Sequence, residues 1–160
     1  MASLRLMAGI PVLVAAAGCS VERLPPEDAR DSEAIRGIVV AVHETFTAGD
    51  YPRLRTLFDS SAVIVWDNGG PQSLGDFETA LAQWRSRLGE SSMETRPLRL
   101  DVRHAGDAGT AWATSAWTIS RPNGEVKNIE HRAVFLMTRA DDGWRVLSLL
   151  LNRRDATPAS

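Results

Sequence analysis

Cysteine is almost missing from this sequence: Cys19 stands alone among 160 residues, so no internal disulfide can form. An excess of charge of either sign is missing too. Eighteen Lys and Arg side chains face 20 Asp and Glu, for a formal net charge of −2. No basic run reaches five residues, and Arg153 with Arg154 makes only a pair. Nothing electrostatic therefore favours nucleic acid or an anionic membrane surface as partner. Histidine is sparse, and His43, His104 and His131 lie far apart, which excludes a Cys/His metal cluster by spacing. A P-loop, a dinucleotide fingerprint and a Ser-His-Asp order are all lacking, and no cofactor is implied. What remains, at 44% hydrophobic and 24% charged residues, is an ordinary globular composition of single-domain length.

The N-terminus is the first positive feature. Residues 1–18, MASLRLMAGIPVLVAAAG, carry one basic residue, Arg5, and an apolar run from Leu6 to Ala17. That run is shorter than the roughly 20 residues a hydrocarbon core requires, and it fits the hydrophobic part of a secretory signal. The segment Ala16-Ala17-Gly18-Cys19 resembles the lipobox of bacterial lipoprotein signals. That resemblance implies acylation of Cys19, anchorage to a bacterial membrane, and, through Ser20, sorting to the outer membrane. The plainer alternative is an ordinary signal peptide that leaves Cys19 as a free thiol. Residues 19–30, rich in charge and containing Pro25-Pro26, read as a tether. The folded domain is then expected over 31–154, with a frayed tail at 155–160.

Within that domain the period changes once. Ile35, Ile38, Val39, Val42 and Phe46 recur at helical spacing, predicting a helix from Asp31 to Ala48 closed by Gly49. Asp50 would cap a second, shorter helix that turns Leu54, Leu57 and Phe58 inward. AVIVW at 62–66 reads as a strand, followed by the turn DNGGP. A third helix is predicted over Leu74–Leu88, with Phe77, Leu81, Trp84 and Leu88 on one face and a Ser73/Asp76 capping box. From there the chain alternates. PLRLDVRH at 97–104 places Leu98, Leu100, Val102 and His104 on one face. TAWATSAWTIS at 110–120 and two further strands follow, separated by the turns PNGE and ADDG. Helices first and a strand meander after is an α+β pattern. AVFLM at 133–137 and LSLLL at 147–151 are apolar at both parities, so both sheet faces should be covered. A second copy of the chain is the simplest cover for the outer face, giving a homodimer; the tether or the tail is the alternative.

This order resembles the nuclear transport factor 2-like superfamily and, within it, the SnoaL-like group. The matching stretches are TAGD at 47–50, LFDSSAVIVW at 57–66, LGDFETALAQW at 74–84, TAWATSAWT at 110–118 and DDGWRVLSL at 141–149. The resemblance implies a cone: a strongly curved antiparallel sheet wrapped round three helices, with an apolar cavity at the wide end. It also implies a choice, because the superfamily holds isomerases, cyclases and dehydratases beside members that only bind or assemble. Where steroid isomerases carry a tyrosine, this chain has Val42. Their aspartate base falls at Trp66 or Asp67, and their strand acid at Ala133 or His131. Where many SnoaL-like members carry a histidine and a serine in the last strand, Leu150 and Asn152 stand.

The expectation is therefore a lipid-anchored, extracytoplasmic domain that binds a small apolar molecule or serves in assembly, without catalysis. The alternative is an isomerase, cyclase or dehydratase with Asp67 as general base and His131 or His43 as polarising partner. Asp67 also suits a plain turn before Asn68-Gly69-Gly70, and His131 suits a hydrogen-bonded core position. Five tryptophans against one tyrosine offer flat apolar surface. Trp66, Trp84 and Trp112 are the candidates to face a ligand. Trp112 and Trp117 have opposite parity, so only one of them can face inward without a bulge.

Overall fold

The structure, a computed structural model, describes residues 26–67 and 69–154. The expected signal segment 1–18, Cys19, the expected tether up to residue 25 and the expected tail 155–160 lie outside the described residues. Helix α1 spans Pro26–Ala48, a 3-10 turn spans Tyr51–Thr56, and helix α2 spans Leu74–Leu88. The strands are β1 (Phe58–Trp66), β2 (Gln72–Ser73), β3 (Ser92–Ala105), β4 (Ala108–Ser120), β5 (Val126–Ala140) and β6 (Gly143–Arg154). They form one sheet in the order β2-β1-β6-β5-β4-β3, antiparallel except where β1 runs parallel to β6. The expected α+β architecture is what forms.

Three local expectations need correction. Helix α1 begins at Pro26, so residues 26–30 are helical and not tether. Proline suits a first helical turn, where its fixed φ helps and its missing N–H costs nothing. Asp31, expected to open the helix, is consequently a side chain inside it, bonded to Arg139 and Trp144. The second helix is a six-residue 3-10 turn, and Asp50 makes no side-chain cap bond. Pro52 near its start and the short span before β1 leave no room for an α-helical ladder. Leu98 does not share a face with Leu100: a bulge between Pro97 and Arg99 shifts the parity, and Leu98 is exposed. Helix α2, in contrast, occupies the predicted span, with Ser73 Oγ accepting from the Asp76 N–H at 3.2 Å.

Helix α1 lies across β3, β4 and β6 on one face of the sheet, burying Ile35, Val39, Val42 and Phe46. Gly109 makes the close approach possible. A Cβ there would sit 2.8 Å from Ile35 Cδ1 and 3.1 Å from the Trp144 ring, closer than packed carbons allow. Helix α2 packs on β1 and the 3-10 turn, placing Phe77 and Leu81 in the same core. The opposite face of the sheet has no element of the described chain over it. There Trp112, Leu136, Leu147, Leu150 and Val63 stay well exposed.

Candidate ligand site in the aromatic interior

The C-terminal half of α1, the C-terminal half of α2 and the facing sheet enclose a run of aromatic rings. Trp66 meets Trp84 edge-on at 6.1 Å, and Trp84 meets Trp117 at 5.6 Å. Trp117 then lies 4.5 Å from the His131 ring, and Phe46 and Phe77 close the space beneath. Trp66 and Trp84 enter as expected. Trp112 does not: it stands on the outer face, 42% exposed, with the Arg103 guanidinium 5.8 Å above its ring. Trp117 holds the inward place, at 1% exposure. Strand β4 has no bulge between them, so five residues of separation put them on opposite faces.

The three candidate catalytic side chains gather at this end, in different conditions. His43 is buried and fully bonded: Nδ1–H donates to the Val39 carbonyl at 2.8 Å, and Nε2 accepts the Ser115 hydroxyl at 2.6 Å. The carbonyl can only accept, which fixes the tautomer. Burial holds the His43 pKa below the usual histidine value, keeping the ring neutral. Asp67 adopts a left-handed backbone (φ 53°) at the end of β1. Its N–H donates to the Leu151 carbonyl, and its Oδ1 accepts from the Arg153 N–H at 2.8 Å. That carboxylate joins the end of β1 to β6, as a turn residue would.

His131 differs from both. It pairs with Ser115 across β4 and β5, is 4% exposed, and its Nδ1 is sealed without a hydrogen-bond partner among the described residues. Burial pushes its pKa down; nearby Asp67 pulls it up, while Arg153 and His43 lower it further. Two more sealed polar atoms belong to the same run of rings, the indole nitrogens of Trp66 and Trp117. Unpaired atoms of this kind cost about 1–3 kcal/mol each, and most native proteins avoid them. Sequence could not have flagged them, since partner loss is a property of the packed interior. Trp117 was the residue within reach, because the opposite parity of Trp112 and Trp117 already required a choice.

Clefts elsewhere are poorer candidates. One of about 510 Å³ opens between Phe58, Leu74, Arg55 and Arg145. Its guanidiniums are already committed, Arg55 to both oxygens of Glu78 and Arg145 to Asp142 and the Thr56 carbonyl. Among the described residues no group of His, Cys, Asp and Glu could hold a metal ion.

Fold and site together define an α+β domain whose interior, between helices and curved sheet, carries unpaired polar groups. Residues 35–150 match the SnoaL-like domain, and the chain belongs to that family. No curated protein matches it in sequence. Among solved structures, a nuclear transport factor 2-like protein from Streptomyces avermitilis, provisionally assigned as a dehydratase, is similar at 17% identity. It has a TM-score of 0.69 and covers 81% of this chain and 99% of that one. A superfamily member from Salmonella enterica serovar Typhimurium is similar at 13% identity and TM-score 0.68, covering 82% and 96%. A protein with a cystatin-like fold from Novosphingobium aromaticivorans gives 17% and 0.69, covering 81% and 86%. At these identities the likeness establishes the fold and leaves the activity open.

Proposed function

We propose that this domain captures a small, flat, largely apolar molecule among Trp66, Trp84 and Trp117 and performs no chemistry on it. The observation that carries the reading is the trio of sealed polar atoms, Trp66 Nε1, Trp117 Nε1 and His131 Nδ1, in one aromatic surround. These atoms are closed to solvent, so a bound molecule offering oxygen atoms supplies the partners they lack once the rings part to admit it. Two details favour binding over catalysis. His43 spends both ring nitrogens on Val39 and Ser115, and Asp67 spends an oxygen on the β6 backbone. An isomerase or dehydratase needs an acid and a base with free valences, and His43, with none, can be neither. A neutral probe of naphthalene size, 2-naphthol, should raise the melting temperature of the full chain by mass action. Trp84→Ala should weaken that binding about tenfold, through lost ring contact. If no naphthalene-class probe, neutral or charged, shifts the melting temperature, the reading fails.

Two further elements belong to the proposal. Acylation at Cys19 would hold the domain at a bacterial membrane, so Cys19→Ala should move it from the membrane to the soluble fraction. Retention of the variant at the membrane would rule this anchor out. The outer sheet face supports a homodimer: Trp112, Val134 and Leu150 lie side by side across β4, β5 and β6, next to Leu136 and Val63. Leu136→Glu would place a charge on this face, and sedimentation should show monomers where the parent chain shows dimers. A parent chain that sediments as a monomer at micromolar concentration would exclude the dimer.

A further inference from the structure

Among the described residues, His131 is the one histidine whose ring holds a sealed nitrogen without a partner. Its neighbours offer little to a second proton. On β4 it faces Ser115, whose hydroxyl hydrogen is already given to His43, and Trp117, whose ring lies 4.5 Å away. On β6 it faces Arg153, a like charge. The acid that acts on it is Asp67 at the end of β1, and that carboxylate already accepts from the Arg153 N–H. From α1 the neutral ring of His43 approaches. On its own strand Glu130 and Arg132 turn to the opposite face of the sheet, where Glu130 bonds Arg154.

A proton taken up inside this surround would leave an imidazolium out of water with its Nδ1–H unbonded, which a packed apolar interior strongly disfavours. The same ring in water titrates near 6.5. Below that pH an open arrangement binds a proton that the closed one excludes. Acid therefore favours opening, by up to about tenfold per pH unit for one histidine. Opening also relieves an existing cost. Trp66 Nε1 and Trp117 Nε1 are sealed without partners in the same run of rings, so water admitted between them satisfies three polar atoms together. The seam is a contact of rings: α2 packs on β1, β2 and the 3-10 turn, and Trp84 against Trp117 joins it to β4.

We propose that His131 is an acid-operated latch: taking up a proton parts Trp84 from Trp117 and admits the captured molecule to the aromatic interior. This rests on the capture reading above and adds its regulation. Proton and molecule both bind the parted arrangement, so each strengthens the binding of the other. A site held shut at neutral pH then fills in mildly acidic surroundings.

The test uses the full chain labelled with 5-fluorotryptophan, whose five fluorine resonances report the five indole rings separately. Between pH 7.5 and 5 the resonances of Trp66, Trp84 and Trp117 should shift or broaden together, while that of Trp144 stays in place. His131→Leu should abolish the change, and His131→Gln serves if the leucine variant fails to fold. Isothermal titration with 2-naphthol, neutral throughout this range, should show about tenfold tighter binding at pH 5 than at pH 7.5, a gain that the variant loses. Movement of Trp144 with the other three means global unfolding and overturns the latch. An unchanged spectrum, or a change that survives substitution of His131, overturns it too. Naphthol affinity that is flat or falls in acid overturns the admission of the molecule. Binding at neither pH overturns capture itself, and the fluorine spectrum then decides the latch alone.

Discussion

The two ends of α1 meet the sheet with similar residues in opposite states. At the first-turn end, Trp144 donates its indole N–H to Asp31 Oδ1 at 3.1 Å, and Arg139 bonds the same carboxylate. Arg139 also lies 5.0 Å over the Trp144 ring, and His104 Nε2–H donates to the Asp28 carbonyl at 3.0 Å. Tryptophan, histidine and arginine are each satisfied there. At the last-turn end, Trp117 and His131 use two of the same side-chain types, and each has a sealed polar atom left over. The first end holds the fold together. The second carries an energetic cost that the fold alone does not require, and such costs collect where a protein binds something.

The comparison can be broken by measurement. The largest effect is expected from Trp117→Ala, which empties the centre of the second end and should cost about 3–5 kcal/mol in chemical denaturation. A loss below about 1 kcal/mol would mean that the ring is not packed as described. A finer cut replaces each indole with a benzothiophene ring of the same shape, removing only the N–H. At Trp144 this should cost about 1–3 kcal/mol for a bond to a charged acceptor; at Trp117 it should be neutral or mildly stabilising. Equal losses at both positions would erase the distinction between the ends. The smallest effect is a pH slope. His43 and His131 both have folded pKa values below the unfolded value of 6.5, so the unfolded chain binds more protons. Their contribution is complete above that value and declines as the pH falls below it. His131→Leu should flatten the slope below about pH 6.5, and an unchanged slope would show that His131 does not titrate there.

Elements with internal signals were legible in the sequence. Helix α2 carries a cap, a single apolar stripe and a terminal glycine, and it forms over Leu74–Leu88 as read. The strand meander was equally clear, because alternation and turn residues agree. What failed depended on neighbours. Pro25-Pro26 suits both a tether and a helix start, and only contacts such as His104 with Asp28 decide between them. The bulge that exposes Leu98 arises from pairing with β4, which no local pattern announces. At the site, family resemblance pointed to Asp67 and His131. The differing bonds of His43, Asp67 and His131 depend on packing against distant parts of the chain and have no local signal.

The position of β6 has a consequence for the order in which the chain matures. It lies between β1 and β5, so β1 has only the two-residue β2 beside it until residues 146–151, much further along the chain, have been made. Until those residues are made, Trp66 at the end of β1 has no neighbour at Leu151 and the aromatic cluster has no wall on that side. Stops within β6 would therefore leave β1 with β2 on one side and β3 to β5 on the other, with the aromatic cluster open to water, and quality-control proteases should clear such fragments quickly.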